Sequence, residues 1–141
     1  MLKVGEAQPS AEVAHRLSLA DDATVVARSR RYSLDGRPVE TAVSYIPADL
    51  ARGTPIEDPN PGPGGIYARL EESGHTLERF TEEVAARMPT PDEARTLALA
   101  PGVPVFRLIR TAYDGDGRAV EVCDTIMAAD AYLLAYDLPA R

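Results

Sequence analysis

The chain of 141 residues has no tryptophan, two phenylalanines, two histidines and a single cysteine, Cys123. One cysteine excludes an internal disulfide and any zinc site built from cysteines. With aromatics at 6% of residues, Ala, Val and Leu have to fill the core. No apolar run reaches the length of a membrane span. The start, MLKVGEAQPS, lacks the apolar segment that a signal peptide carries behind its basic residue. A cytoplasmic protein is the simplest expectation. Basic charge is also scarce: 15 Lys and Arg against 22 Asp and Glu leave a formal net charge of -7. DNA binding draws on a basic face, and the run RSRR over residues 28–31 is too short to make one. If this chain serves gene regulation, another domain touches the operator.

What is present is an ordinary globular composition, 45% apolar and 26% charged, in a length that suits one domain over 1–141. The chain also repeats itself. At an offset of 80, Ala14, Leu17, Leu19, Val25 and Arg30 fall on Ala94, Leu97, Leu99, Val105 and Arg110. At an offset of 81, Asp35-Gly36-Arg37, Val39, Glu40 and Ala48-Asp49 fall on Asp116-Gly117-Arg118, Val120, Glu121 and Ala129-Asp130. The extra residue lies near a turn, where insertions cost least. Two copies are too few for a solenoid, so a pseudo-symmetric single domain is expected.

Each unit opens with a helix start. Thr90-Pro91-Asp92-Glu93 combines a Thr cap, Pro at the first helical position and Glu three residues after the cap; Ser10 takes the cap position in the first unit. Short helices are predicted over about Ala11–Leu17 and Pro91–Leu97. Strand pairs follow, turning at Asp35-Gly36 and Asp116-Gly117, a strong hairpin signal. Between the units, Gly53–Gly65 holds four prolines and leads into a helix over about Ile66–Ser73 with Gly74 as its stop. A strand over about Leu77–Ala86 precedes the second unit. The fold class is α+β: a mostly antiparallel sheet flanked by helices, built from two helix–hairpin units.

Strand alternation places Arg110 among Phe106, Leu108 and Ala112, and Glu121 among Cys123, Thr125 and Met127. A charge among apolar neighbours is paired, hydrated or awaiting a ligand. One expectation is an ion pair within each hairpin, Arg30 with Glu40 and Arg110 with Glu121; the other is ligand contact. Gly64 and Gly65 allow close backbone approach at a helix N-terminus, which favours anions. His15 and His75 read as surface residues, and Cys123 as a small buried hydrophobe. No Ser-His-Asp or Cys-His signature is present, so no catalytic residue, metal or cofactor is expected.

The segments "VVARSRRYSLDGRPVETAVSYIPADL", "GGIYARLEESGH" and "DEARTLALAPGVPVFRLIRTAYDGDGRAVEVCD" together resemble the UTRA domain, the effector-binding domain of HutC-type regulators in the GntR superfamily. The resemblance spans essentially the whole chain. It implies a chorismate lyase-like fold, a small anionic metabolite as effector, and a homodimer that meets operator DNA only through a winged helix-turn-helix not found in this sequence. It also implies effector contacts at Arg30, Glu121 and Ser44, to which the sequence reading adds Gly64, Gly65, Tyr67 and Arg110. Four positions depart from the family: Ala42 replaces a Glu, Gly65 a helix-capping Ser, Met127 an aromatic, and Tyr32 a second Arg. The effector class is left open. The rival readings are a chorismate lyase-like enzyme on the same fold and a pure oligomerisation module without a pocket. The charge balance makes a first testable expectation. The isolated chain produces no sequence-specific gel shift of operator DNA at micromolar protein and physiological salt, and a specific shift would refute this.

Overall fold

A computed structural model describes residues 2–140. Six strands form one antiparallel sheet in the order β1-β2-β3-β6-β5-β4. The strands are β1 (Leu2–Ala7), β2 (Val25–Leu34), β3 (Arg37–Pro47), β4 (Leu77–Arg87), β5 (Val105–Asp114) and β6 (Ala119–Ala128). Helix α1 (Ala11–Arg16) joins β1 to β2, and α4 (Pro91–Thr96) joins β4 to β5. The crossover between halves holds α2 (Ala48–Ala51), a 3-10 turn at Pro55–Glu57, and α3 (Gly65–Glu72). Each half is therefore strand, helix, hairpin, and the halves meet where β3 pairs with β6.

The local chemistry that produces these elements is duplicated. Ser10 caps α1 by accepting from the Val13 amide, and Thr90 caps α4 within a complete capping box with Glu93. Both helices end in a residue forced to positive φ, Ser18 at 51° and Ala98 at 49°, eighty positions apart. The first hairpin turns on two residues, Asp35 and Gly36, both at positive φ, as a two-residue turn between twisted strands requires. The second closes a three-residue loop, with the Asp114 amide bonded to the Arg118 carbonyl and Gly117 at φ 82°. That longer loop is the residue that moves the repeat offset from 80 to 81.

Two apolar layers hold the sheet. On one face Val13 and Leu17 of α1 pack with Val25, Ile109, Ala119 and Val122. On the other, Leu50, Ala51, Ile56 and Leu70 of the crossover cover Val26, Ile46 and Ala112. The crossover covers only part of that second face, and the uncovered part is concave. Two elements were not expected from the sequence: β1, and the short α2 with its 3-10 turn. His75 is not a surface residue, because its Nδ1 lies 2.9 Å from Asp114 Oδ2. Asp114 is buried and also accepts from the Asp116 and Arg118 amides, which fixes the second hairpin turn.

His75 chiefly, with those amides, holds the Asp114 carboxyl below the ordinary carboxylate range, against its burial. A depressed carboxylate stabilises the fold above its unfolded pKa, and that stability is lost as pH falls through the lower folded value. Thermal melts should therefore show Asp114→Asn destabilised by ~1–2 kcal/mol near neutrality. The gap to the native chain should narrow as pH drops below about 4; a constant gap would contradict the assignment.

Candidate effector site

The sheet register arranges the concave face in rows that run across the strands. One row reads Val4, Arg28, Ser44, Cys123, Arg110 and Glu82. The next holds Arg30, Ala42, Thr125, Leu108 and Val84. Glu121 stands beside Ala112 and Phe80, in a row that is otherwise apolar. Above these rows lies a cavity of about 480 Å³, within the range of small-molecule sites. Its floor includes Arg30, Ala42, Leu108, Cys123 and Thr125, and its wall is Gly64–Tyr67 at the start of α3.

Two arginines build the wall. Arg28 is buried, and its guanidinium donates to the carbonyls of Ile56 at 2.8 Å, Asp58 at 2.6 Å and Pro59 at 3.2 Å. Burial, and then the like charge of Arg30, lower its pKa from the ordinary arginine value. From α3, Arg69 donates to the carbonyls of Pro61 and Pro63. A loop with too few amides to hydrogen-bond itself is thus pinned through its carbonyls. Gly64 caps α3 at φ 83°, and a Cβ there would meet Ala68 Cβ at 2.7 Å, so the close turn into the helix needs glycine. The first-turn amides of α3 have no partner inside the helix.

Six of the seven residues expected at the site line the cavity: Arg30, Gly64, Gly65, Tyr67, Arg110 and Glu121. Ser44 does not. It is fully buried, and its hydroxyl accepts from Arg30 Nη1 at 3.0 Å, so it orients the arginine from below. Neither expected hairpin ion pair forms. Arg30 stands opposite Ala42 rather than Glu40, and donates instead to Ser44, to the Tyr32 hydroxyl at 2.9 Å and weakly to Cys123 Sγ at 3.7 Å. Among the described residues no carboxylate lies within ion-pair distance of it. Burial opposes its charge, while the Tyr32 hydroxyl and, at longer range, Glu121 favour it, and it stays firmly protonated.

Arg110 turns away from Glu121 to Glu82 on β4, at 2.7 Å, and stacks over the Phe80 ring. Glu121 is 2% exposed, and its Oε1 accepts from the Tyr67 hydroxyl at 2.7 Å. Its second oxygen has no hydrogen-bond donor among the described residues. Burial and then the Glu121 charge push the Tyr67 phenol far up, so it stays a donor. A cation without a carboxylate and a buried carboxylate with one neutral donor therefore share one cavity. Cys123 is half-buried at its floor, not a core hydrophobe.

The wall-building role of Arg28 is not among the sequence expectations, where RSRR is read only as a candidate DNA contact. Alternation along β2 puts Arg28 and Arg30 on one face, and that signal was available. Glu40 stands at the rim of the cavity and also lines a second hollow with Tyr132; burial and then Glu40 push the Tyr132 hydroxyl up to about 12.

The UTRA domain model matches residues 1–133. The chain belongs to the UTRA domain family. An uncharacterized HTH-type transcriptional regulator of Streptomyces coelicolor is 38% identical over 137 residues, 95% of this chain and 51% of the relative. One from Rhizobium meliloti is 33% identical, across 90% of this chain and 52% of the relative. The chain thus spans about half the length of these curated relatives. Among solved structures, a GntR-family regulator superposes with a TM-score of 0.89 at 29% identity, covering all of this chain and 58% of that one. The ligand-binding domain of a GntR-family regulator from Bordetella bronchiseptica superposes at 0.81 and 26% identity, covering 97% of this chain and 87% of that one. Three of the four positions that depart from the UTRA pattern, Ala42, Gly65 and Met127, line the cavity, and the fourth, Tyr32, supports Arg30.

The role given to Arg28 is open to a direct check. Arg28→Ala leaves three carbonyls unpaired and should lower stability by ~3 kcal/mol. In urea it should shift the midpoint without changing the slope; a midpoint like that of the native chain would remove Arg28 from the wall.

Proposed function

We propose that this UTRA domain is the effector sensor of a HutC-type transcriptional regulator, acting in the cytoplasm as a homodimer. In this reading operator DNA is met by a winged helix-turn-helix elsewhere in the regulator, which agrees with the acidic charge of the chain. The observation that carries the reading is an uncompensated pair in the cavity: among the described residues, Arg30 meets no carboxylate and one oxygen of Glu121 has no donor. A small anionic metabolite supplies what both lack. Its carboxylate or phosphate takes the positive charge of Arg30 on its weakly engaged Nη2 side, and the first-turn amides of α3. A hydroxyl or amine on the same molecule donates to the carboxylate of Glu121. Tyr67 holds Glu121 in place, Ser44 holds Arg30, and Gly64-Gly65 let the ligand approach the backbone.

Arg110 is a weaker contact in this scheme, since Glu82 already engages it. Ala42, Leu108, Ile66 and Met127 add apolar wall, which suits a ligand with a hydrocarbon body beside its charge. An enzyme on this fold is disfavoured, because the relatives carry the names of transcriptional regulators. A pure oligomerisation module leaves the cavity and its two opposite charges without a role.

A thermal-shift screen against a metabolite library should yield a compound that raises the melting temperature by mass action. Arg30→Ala and Glu121→Gln should then each weaken its binding by ~1–3 kcal/mol while the chain stays folded. Unchanged affinity in both variants would rule the site out.

A further inference from the structure

Beside the effector cavity, on the same concave face, lies a second hollow of about 640 Å³. It is lined by Phe80, Glu82 and Val84 of β4, Arg110 of β5, and Tyr136 and Leu138 of the segment after β6. The two spaces adjoin at three places. Arg110 lines both. Leu108 on the cavity floor is paired across strands with Val84 in the hollow. The Phe80 ring meets that of Tyr67, from the cavity wall, with centroids 6.0 Å apart. Arg110 stands at the junction, drawn toward Glu82 at 2.7 Å and laid over Phe80.

The two spaces differ in chemistry. The cavity holds Arg30, which among the described residues meets no carboxylate, and Glu121, one of whose oxygens has no donor. In the hollow the two charges, Arg110 and Glu82, engage each other. What remains there is mostly hydrocarbon: Phe80 and Val84 are each 45% exposed, and Leu138 is 75% exposed. Such a surface gains free energy when an apolar group covers it. The outer wall is also loosely held. The Ala131 amide bonds to the Ala128 carbonyl, and beyond it no backbone hydrogen bond ties the segment to the sheet among the described residues. The Tyr136 phenol stands beside Glu82, where burial and then that carboxylate raise its pKa. A wall held by side chains alone opens locally at small cost.

We propose that this hollow is a second compartment of the effector site, which takes the apolar arm of an effector whose anionic head lies between Arg30 and Glu121. The inference rests on the proposed function and adds the class of ligand: a carboxylate or phosphate joined to a hydrocarbon or aromatic arm. The strand spacing sets the length of that arm. From β6, where Cys123 marks the cavity floor, to β4 is two strand spacings, about 10 Å. An octyl chain covers that distance and a butyl chain does not. The arm leaves the cavity over Leu108, passes Arg110 and ends between Val84 and Leu138. A wholly polar effector would leave Phe80, Val84 and Leu138 uncovered.

Titration calorimetry of the native chain with butyl and octyl phosphate, and with butanoate and octanoate, tests this below their micelle-forming concentrations. In the series whose head group binds, the octyl compound should bind about tenfold or more tighter than the butyl one, because more methylenes are buried. Val84→Asn and Leu138→Asn, both at exposed positions, should each cut that ratio to about threefold or less. Butyl affinity and circular dichroism should stay as in the native chain. Leu34→Asn, at an exposed apolar residue of the first hairpin, should keep the full ratio. Equal binding of the butyl and octyl compounds, or a ratio that either variant keeps in full, would overturn the compartment and leave the anion site standing. Binding of none of the four at millimolar concentration would overturn it too, while the metabolite screen with Arg30→Ala and Glu121→Gln still judges the anion site.

Discussion

The six paired positions between β3 and β6, Glu40–Tyr45 against Met127–Val122, are the seam on which the site depends. Each half carries its own hairpin, but neither half alone holds a cavity floor. The seam sets Ser44 against Cys123 and Ala42 against Thr125, which brings Arg28 and Arg30 from one hairpin beside Arg110 and Glu121 from the other. A slip of one residue across this seam would send the side chains of one hairpin to the opposite face and separate the two pairs. The slip is resisted because it would also bring Val26, Ile46 and Ala112 out from under the crossover. The apolar layer therefore fixes the register, and the register places the charges.

The duplicated charges have taken different partners. Arg30 and Arg110 occupy matching places in the repeat, as do Glu40 and Glu121. Arg30 is held by hydroxyls, whereas Arg110 is held by a carboxylate from β4, a strand that lies beside only one of them. Glu121 lies beneath α3, whereas Glu40 stands at the open rim. The crossover covers the concave face unevenly, and that asymmetry gives two similar hairpins one cavity with a cationic end at Arg30 and a carboxylate end at Glu121.

Local chemistry made much of the fold legible in the sequence. The Thr90 capping box, the two Asp-Gly turns and the added residue between them depend on neighbours along the chain, and each stands where the residues indicate. Strand β1 is hard to read because six residues with a central glycine carry little strand pattern, although the 80-residue offset maps it onto residues 82–87 of β4. The site was legible to the level of faces, since alternation places Arg30, Arg110 and Glu121 correctly. Their partners were not, because an ion pair depends on cross-strand register and on β4, and neither is written in the hairpins. Ser44, which the resemblance implies as an effector contact, lies beneath the cavity because Arg30 folds over it.

Cys123, the one cysteine of the chain, lies at the cavity floor and reports directly on whether that cavity is where the effector binds. The rate at which a thiol reagent labels Cys123 is to be measured with and without the compound that most raises the melting temperature. Occupancy of the cavity predicts that the compound slows labelling in proportion to the fraction of protein bound. A compound that stabilises the chain fully, yet leaves the labelling rate unchanged at saturation, binds elsewhere and contradicts the account.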